Sequence, residues 1–415
     1  MNTDYRQALD SALACHRAGQ TDEALDSARR CLDASGEVRD EAVIVVGEVL
    51  LRAGRTQELT GHLDRFRDLA DSPKWRLLQA RCKVQSGNSG AARPILERIK
   101  AECSDRKIAR AATFDLVKLL DKAGEHESAW QTAAEEHRRS THKFPVELLE
   151  RALLVTAQAA QQAGRLKIRR ASRDVERTAF LAGMPRSGTS LLEQMLDRHS
   201  SIVGVGENPL PGRMADAIAA EGRGWPAGAQ SVPVSTLDSW QDRYTEFVRL
   251  QRGVPVDCWS LDKTVFPMFQ PLAVAAVLPG ARVIRIVRDP RDTATSLFLS
   301  NFEPSWGWTG SLASIERVLT AERAFVPVIL ESLNIPSVEV QYEHLIDSPR
   351  EALSPALKLL GEELEEDCLR PEDSARVVMT LSNEQVRSPI NRQGIGRWQN
   401  YKQYFANSSL LNFES

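Results

Sequence analysis

Apolar residues follow two different rhythms along this chain, and the change comes near residue 170. Over the first 165 residues they recur at helical spacing, interrupted by turn glycines at Gly19, Gly54, Gly87 and Gly124, at intervals of 35, 33 and 37 residues. The phrases around them, AGQTDEAL, AGRTQELT, SGNSGAAR and AGEHESAW, share one form: a small residue, the glycine, polar residues, then a second helix near an alanine or its substitute, Ala24, Leu59 and Ala91. A further helical run, Val146 to Gly164, closes the stack. Beyond the basic segment LKIRRASRDVER the rhythm shortens. Thr178 to Ala182 reads as a strand, Gly183 to Ser190 as a loop, and Leu191, Leu192, Met195 and Leu196 as one face of a helix. Two more strands are predicted at Ala281–Val287 and Val338–Gln341.

These patterns predict an α + α/β protein. Residues 1–165 form an all-α solenoid with the period of tetratricopeptide-like repeats, 166–177 a linker, and 178–415 a domain built on a central parallel sheet. A repeat buries its apolar face only against its neighbours, so the array implies either a surface for a protein partner or self-association, or a plain helical scaffold. A ligand of the second domain belongs at the carboxyl ends of its strands.

Composition narrows the partners. The chain has 415 residues, 42% of them hydrophobic, enough for two or three folded domains. With 53 basic and 56 acidic side chains the formal net charge is −3, which supplies no field for nucleic acid or an anionic membrane. The N-terminus lacks the apolar core of a secretion signal, and no apolar run reaches the roughly 20 residues that span a bilayer. A cytoplasmic location is expected. The six cysteines and seven histidines show no metal-ligand spacing, so reduced thiols and no metal are expected.

The loop GMPRSGTS carries the first chemistry. It has the glycine framing of a phosphate-binding loop, but Thr189 stands where a nucleotidase has lysine, which points away from ATP and GTP. Its one basic residue, Arg186, offers a forked guanidinium to an oxyanion. Backbone N–H groups at the start of the following helix add a second anion contact. After the Ala281–Val287 strand come Arg288 and Ser296, ordinary singly, but positioned for a second phosphate.

Together GMPRSGTSLLEQMLDRHSSIVGVGE, LDKTVFP, VRDPRDTATS, YEHL and SNEQVRSPINRQGIGRWQNY resemble, from about Thr178 to Phe405, the sulfotransferases that use 3′-phosphoadenosine 5′-phosphosulfate, nearest to the tyrosylprotein sulfotransferases. The resemblance implies a P-loop α/β fold and metal-free transfer of a sulfonate group to a hydroxyl. It implies that Pro185, Arg186, Ser187, Gly188, Thr189 and Ser190 form the 5′-phosphosulfate loop, that Arg288 and Ser296 hold the 3′-phosphate, that Tyr342 is an aromatic cofactor contact, and that Arg397 closes over the nucleotide. It implies that Glu207, 21 residues after Arg186, is the catalytic base, with Arg186, Lys263 and Ser382 stabilising the leaving charge.

The chain departs from that family at Glu207-Asn208-Pro209-Leu210 and at Ser300, where a second basic cofactor contact is expected; it looks like a bacterial relative joined to a repeat array. Gly212 to Pro255, with Arg213, Arg223, Arg243, Arg249 and Arg252, reads as an acceptor-side insertion whose arginines meet an acidic peptide or simply solvate helices. Trp306 and Trp308 either wall an aromatic acceptor or pack a loop. The expected acceptor is a peptide tyrosine; a small phenolic, lipid or glycan acceptor, a P-loop small-molecule kinase, and a catalytically dead repeat scaffold remain alternatives.

Overall fold

The computed structural model describes residues 2–17, 20–139, 145–161, 168–221, 227–263, 271–373 and 390–413. Contacts divide the chain into two compact units.

Among the described residues the first unit contains eight α-helices: α1 (Asn2–Arg17), α2 (Thr21–Arg30), α3 (Glu37–Ala53), α4 (Thr56–Arg65), α5 (Pro73–Gln85), α6 (Ser89–Glu102), α7 (Arg106–Lys122) and α8 (His126–Arg139). Each packs on the next, and α5 also meets α3 and α7. Gly54, Gly87 and Gly124 follow α3, α5 and α7 with φ of 74°, 80° and 79°, the left-handed conformation that ends a helix. Gly19 lies outside the described residues. Five residues after each of the four turn glycines come Ala24, Leu59, Ala92 and Ala129, all wholly buried. In the third phrase the buried position is therefore Ala92 rather than Ala91, whose N–H is capped by Asn88 Oδ1 at 3.2 Å. A polar cap and a buried alanine sit side by side there, which makes the register ambiguous in sequence.

In the second unit, α9 (Val146–Gln161) packs against α15 (Leu312–Ser332), with Ala157 and Ala160 joining Leu272, Ile329 and Leu333 in one buried cluster. Arg317 of α15 holds Glu147 and Glu150 of α9. The helix that sequence periodicity adds to the stack thus finds its apolar partner in the α/β unit, because a helical stripe specifies an apolar neighbour without identifying it. Residues 168–177, read as a linker, are tied down as well: Ala171 N–H donates to Ala276 O at 2.8 Å and Val175 N–H to Pro279 O at 2.7 Å.

Five parallel strands form the sheet, β1 (Thr178–Ala182), β2 (Ile202–Gly206), β3 (Trp259–Asp262), β4 (Arg282–Val287) and β5 (Ser337–Gln341), in the order β2-β3-β1-β4-β5. Between them run α10 (Thr189–Asp197), α11 (Leu210–Ala220), α12 (Val234–Glu246), α13 (Pro271–Val277), α14 (Pro290–Phe298) and α15, while α16 (Tyr342–Asp347) and α17 (Pro349–Leu360) follow β5. β2 and β3 escape the sequence reading: β2 is Ile-Val-Gly-Val-Gly, weakened by two glycines, and β3 has four residues ending in an aspartate. No helix among the described residues is long and apolar enough to cross a membrane.

Side-chain alternation loads both faces of the sheet. Ala179 and Leu181 of β1, with Ile284 and Ile286 of β4, join Leu192 and Met195 of α10 and Leu353 and Leu357 of α17. On the other face Phe180 meets Tyr244 of α12 with ring centroids 5.9 Å apart. Burial on both sides explains why β1 and β4 read as continuous apolar runs. Arg285 is the exception in β4. It is buried and pairs with Glu322 of α15 at 2.7 Å and with Glu339 of β5, while burial pushes the Glu322 carboxyl up.

Removing one partner of such a pair strands the other charge. Glu322→Ala should destabilise the protein by about 3 kcal/mol in urea unfolding. An Arg285→Met, Glu322→Leu double replacement should recover most of that loss, because no buried charge then lacks its partner.

Candidate functional site

Parallel pairing puts the carboxyl ends of all five strands on one edge, and each delivers a residue named above. The Gly183–Ser190 loop follows β1, Glu207 follows β2, Lys263 follows β3, Arg288 follows β4 and Tyr342 follows β5. The central strand is β1, so the loop sits at the middle of that edge.

Two glycines shape the loop. A Cβ on Gly183 would stand 2.7 Å from Ile286 O and 2.8 Å from Ser187 Oγ. At Gly188 φ is 104°, and a Cβ there would stand 2.4 Å from the Tyr342 ring. Arg186 between them also has positive φ, 70°. Gly188 caps α10, whose first two residues are Thr189 and Ser190, so the positive end of the helix faces the loop.

The loop cluster is strongly basic. The Arg186 guanidinium is pushed down to about 10 by burial and by the charges of Arg288 and Arg397. Its Nε donates to Ser296 Oγ at 2.9 Å. Arg288 Nη1 donates to Arg186 O at 2.7 Å, Nη2 donates to Gly394 O, and the guanidinium lies 4.7 Å from the Tyr342 ring centre. Arg186 and Ser296, assigned by resemblance to opposite phosphates, are thus in direct contact. Ser187 Oγ and Arg288 Nε are buried with no hydrogen-bond partner among the described residues. Two orphaned polar atoms, three arginines and a loop with no room for a Cβ fit a bound polyanion.

Asp292, which the sequence reading passes over, brings Arg397 to this cluster. From the first turn of α14 its carboxylate accepts the Gly396 N–H at 2.7 Å and the Trp398 N–H at 2.8 Å, on either side of Arg397. Arg291 lies over the Trp398 ring at 4.3 Å. The only advance signal was a second aspartate in the phrase RDPRD.

A second cluster lies at β2 and β3. Lys263 is 5% exposed, and its Nζ donates to Glu207 Oε1 at 3.1 Å. Glu193 Oε2, on α10, is 4.0 Å from the same Nζ. Glu207 is largely exposed, so one carboxylate is fixed and buried while the other faces solvent. Glu193 also escapes the sequence reading, as one of two adjacent polar residues, Glu193 and Gln194, between Leu192 and Met195. Ser300, the position of the expected second basic contact, is buried two residues beyond the end of α14. Ser382 and Arg223 lie outside the described residues.

Of the flanking features, Trp308 is buried with its ring 5.9 Å from that of Trp306, so this pair packs the loop. Within the Gly212–Pro255 segment, Arg249 donates to the carbonyls of Val254, Pro255 and Cys258, while Arg243 and Arg252 lie over Trp240 and Phe247. All six cysteines are free thiols. The described residues contain no group of three or more His, Cys, Asp or Glu side chains able to hold a metal ion.

Residues 179–366, which run from β1 past α17, match the model of the sulfotransferase family. This segment is a sulfotransferase family domain. The chain is 26% identical over 309 residues to an uncharacterised protein of Aquifex aeolicus (strain VF5), covering 71% of this chain and 40% of that one. It is 26% identical over 237 residues to protein-tyrosine sulfotransferase 1 of Danio rerio, covering 53% and 64%. The match spans less than two thirds of either relative. Among solved structures, a sulfotransferase domain from the curacin biosynthetic pathway aligns with 58% of this chain and 99% of its own at 17% identity and a TM-score of 0.41.

In the sulfotransferase domain the Gly188–Tyr342 contact joins β1's loop to β5. Gly188→Ala places a Cβ into that ring at positive φ and should lower stability by about 1–3 kcal/mol in chemical denaturation. In a Tyr342→Ala background the collision is gone, so the added cost of Gly188→Ala, measured against the Tyr342→Ala single variant, should shrink to the backbone strain.

Proposed function

We propose that the sulfotransferase domain transfers a sulfonate group from 3′-phosphoadenosine 5′-phosphosulfate to a hydroxyl, with a peptide tyrosine as acceptor. One observation carries this reading. Glu207 and Lys263, 56 residues apart in sequence, meet at 3.1 Å on the edge that also carries the anion loop. A base beside a cation, next to a polyanion cradle, suits removal of a hydroxyl proton coupled to departure of a negatively charged group. The name of the Danio rerio relative supports tyrosine as the acceptor.

In this reading Ser187, Gly188, Thr189, Ser190 and the start of α10 hold the 5′-phosphate, with Pro185 shaping the turn. Arg288 and Ser296 hold the 3′-phosphate, and Tyr342 and Arg397 enclose the nucleotide. Arg288 now spends both terminal nitrogens on backbone carbonyls, so nucleotide binding exchanges at least one of these for a phosphate oxygen. Glu207 takes the acceptor proton as the acceptor oxygen bonds to sulfur. The sulfur–oxygen bond to the 5′-phosphate breaks, its electron pair stays with that oxygen, and Lys263, Arg186 and Ser382 offset the charge. The helical first unit is read as a tetratricopeptide-like array that binds a protein partner or a second copy, and the protein as cytoplasmic.

Adenosine 3′,5′-bisphosphate at 100 times its dissociation constant should stabilise the folded protein by about 2.7 kcal/mol without magnesium. Arg288→Ala should abolish that stabilisation. Glu207→Gln should keep it while losing about 10²- to 10⁴-fold in turnover with labelled donor and a tyrosine peptide. Magnesium-dependent ATP turnover would favour a kinase instead, and absence of nucleotide stabilisation a catalytically dead scaffold.

A further inference from the structure

The Glu207–Lys263 pair is built into a set of contacts that neither residue provides. Glu207 is exposed, and an ion pair with an exposed partner is too weak to hold a mobile glutamate in one geometry. The residues on either side of it are held much more firmly.

Gly206, immediately before Glu207, donates its N–H to Glu193 Oε1 at 3.0 Å and accepts the Lys263 N–H on its carbonyl at 3.0 Å. Asn208, immediately after Glu207, donates from Nδ2 to Asp262 Oδ2 at 3.0 Å, and its Oδ1 accepts the Leu210 N–H at 2.9 Å. Asp262 immediately precedes Lys263, and the same Oδ2 accepts the Tyr244 hydroxyl at 3.1 Å. Glu193, Asn208, Tyr244 and Asp262 are all no more than 3% exposed. The peptides carrying the base and the lysine are therefore clamped on both sides by buried carboxylates, one from α10 and one from β3.

Burial also decides the charge arrangement. A buried ammonium needs a fixed counter-charge. Glu193 supplies one that does not involve Glu207. Lys263 can then turn from Glu207 toward the donor without becoming a buried, uncompensated cation, and Glu207 is released to accept a proton.

We propose that Glu193, Asn208 and Asp262 are positioning residues for the reaction: the Asn208–Asp262 bond fixes the peptide that aims Glu207, and Glu193 is the buried counter-charge that fixes Lys263. This rests on the reading of Glu207 as base and Lys263 as the cation of the leaving group.

The test uses the full chain with Asn208→Ala and Glu193→Gln, measuring kcat, KM, stabilisation by adenosine 3′,5′-bisphosphate, and crystal structures. Asn208→Ala should lower kcat on the order of 10²-fold with donor KM within about twofold, and its crystal structure should show Glu207 displaced from Lys263. Glu193→Gln preserves the acceptor for Gly206 N–H but removes the counter-charge, so kcat should fall on the order of 10-fold with donor KM within about twofold, and its crystal structure should show the Lys263 ammonium displaced. A folded Asn208→Ala protein with full kcat, or with the Glu207–Lys263 contact intact, overturns the clamp; a Glu193→Gln protein with full kcat and Lys263 unmoved overturns the role of Glu193. If the unaltered protein neither binds the nucleotide nor turns over, the sulfotransfer reading fails, and the paired crystal structures still decide whether the clamp positions Glu207.

Discussion

Parallel strand pairing is the constraint on which the rest of this molecule depends. Because β1 to β5 all run the same way, the chain leaves the sheet five times at the same edge, and residues scattered from 183 to 342 converge there. An antiparallel exchange of any one strand would send its residue to the opposite edge. The two-sided burial of the central strands, with α10 and α17 on one face and α12 and α15 toward the other, makes that arrangement the one that hides their apolar side chains.

Charge is divided unevenly along this edge. At β1 and β4, burial and then the charges of Arg288 and Arg397 push the Arg186 guanidinium down. At β2 and β3, Lys263 has carboxylates on both sides. The first arrangement favours an incoming polyanion; the second holds a cation and a carboxylate in mutual check. The helix α10 belongs to both, since its N-terminus faces the loop and its Glu193 reaches Lys263. A change at the loop is therefore mechanically connected to the lysine through a single nine-residue helix.

Motif reading marks the glycine-framed loop and an arginine after an apolar strand by type and spacing, and takes the glutamate 21 residues on and the lysine in LDKT from the family resemblance. It passed over Glu193, Asn208, Asp262 and Asp292. Each of these works by a hydrogen bond to a partner far away in sequence, as Asp292 does to Gly396 and Trp398. A polar side chain carries no mark in the sequence of which distant hydrogen-bond partner it will meet. The weak strands β2 and β3 were missed for a related reason, since glycines and a terminal aspartate give no alternation of their own.

Local sequence determined the glycine-stopped helices of the first unit, the strand–loop–helix at 178–197, the long apolar strand 282–287 and the absence of a lysine in the loop. Those features depend on backbone preference and on periodic burial, which neighbours a few residues apart can specify. Tertiary structure alone decided that α9 packs on α15, that Arg186 contacts Ser296, and that Lys263 lies between Glu207 and Glu193. Those are choices among partners, and a chain can express them only after the sheet has brought distant segments within hydrogen-bonding reach.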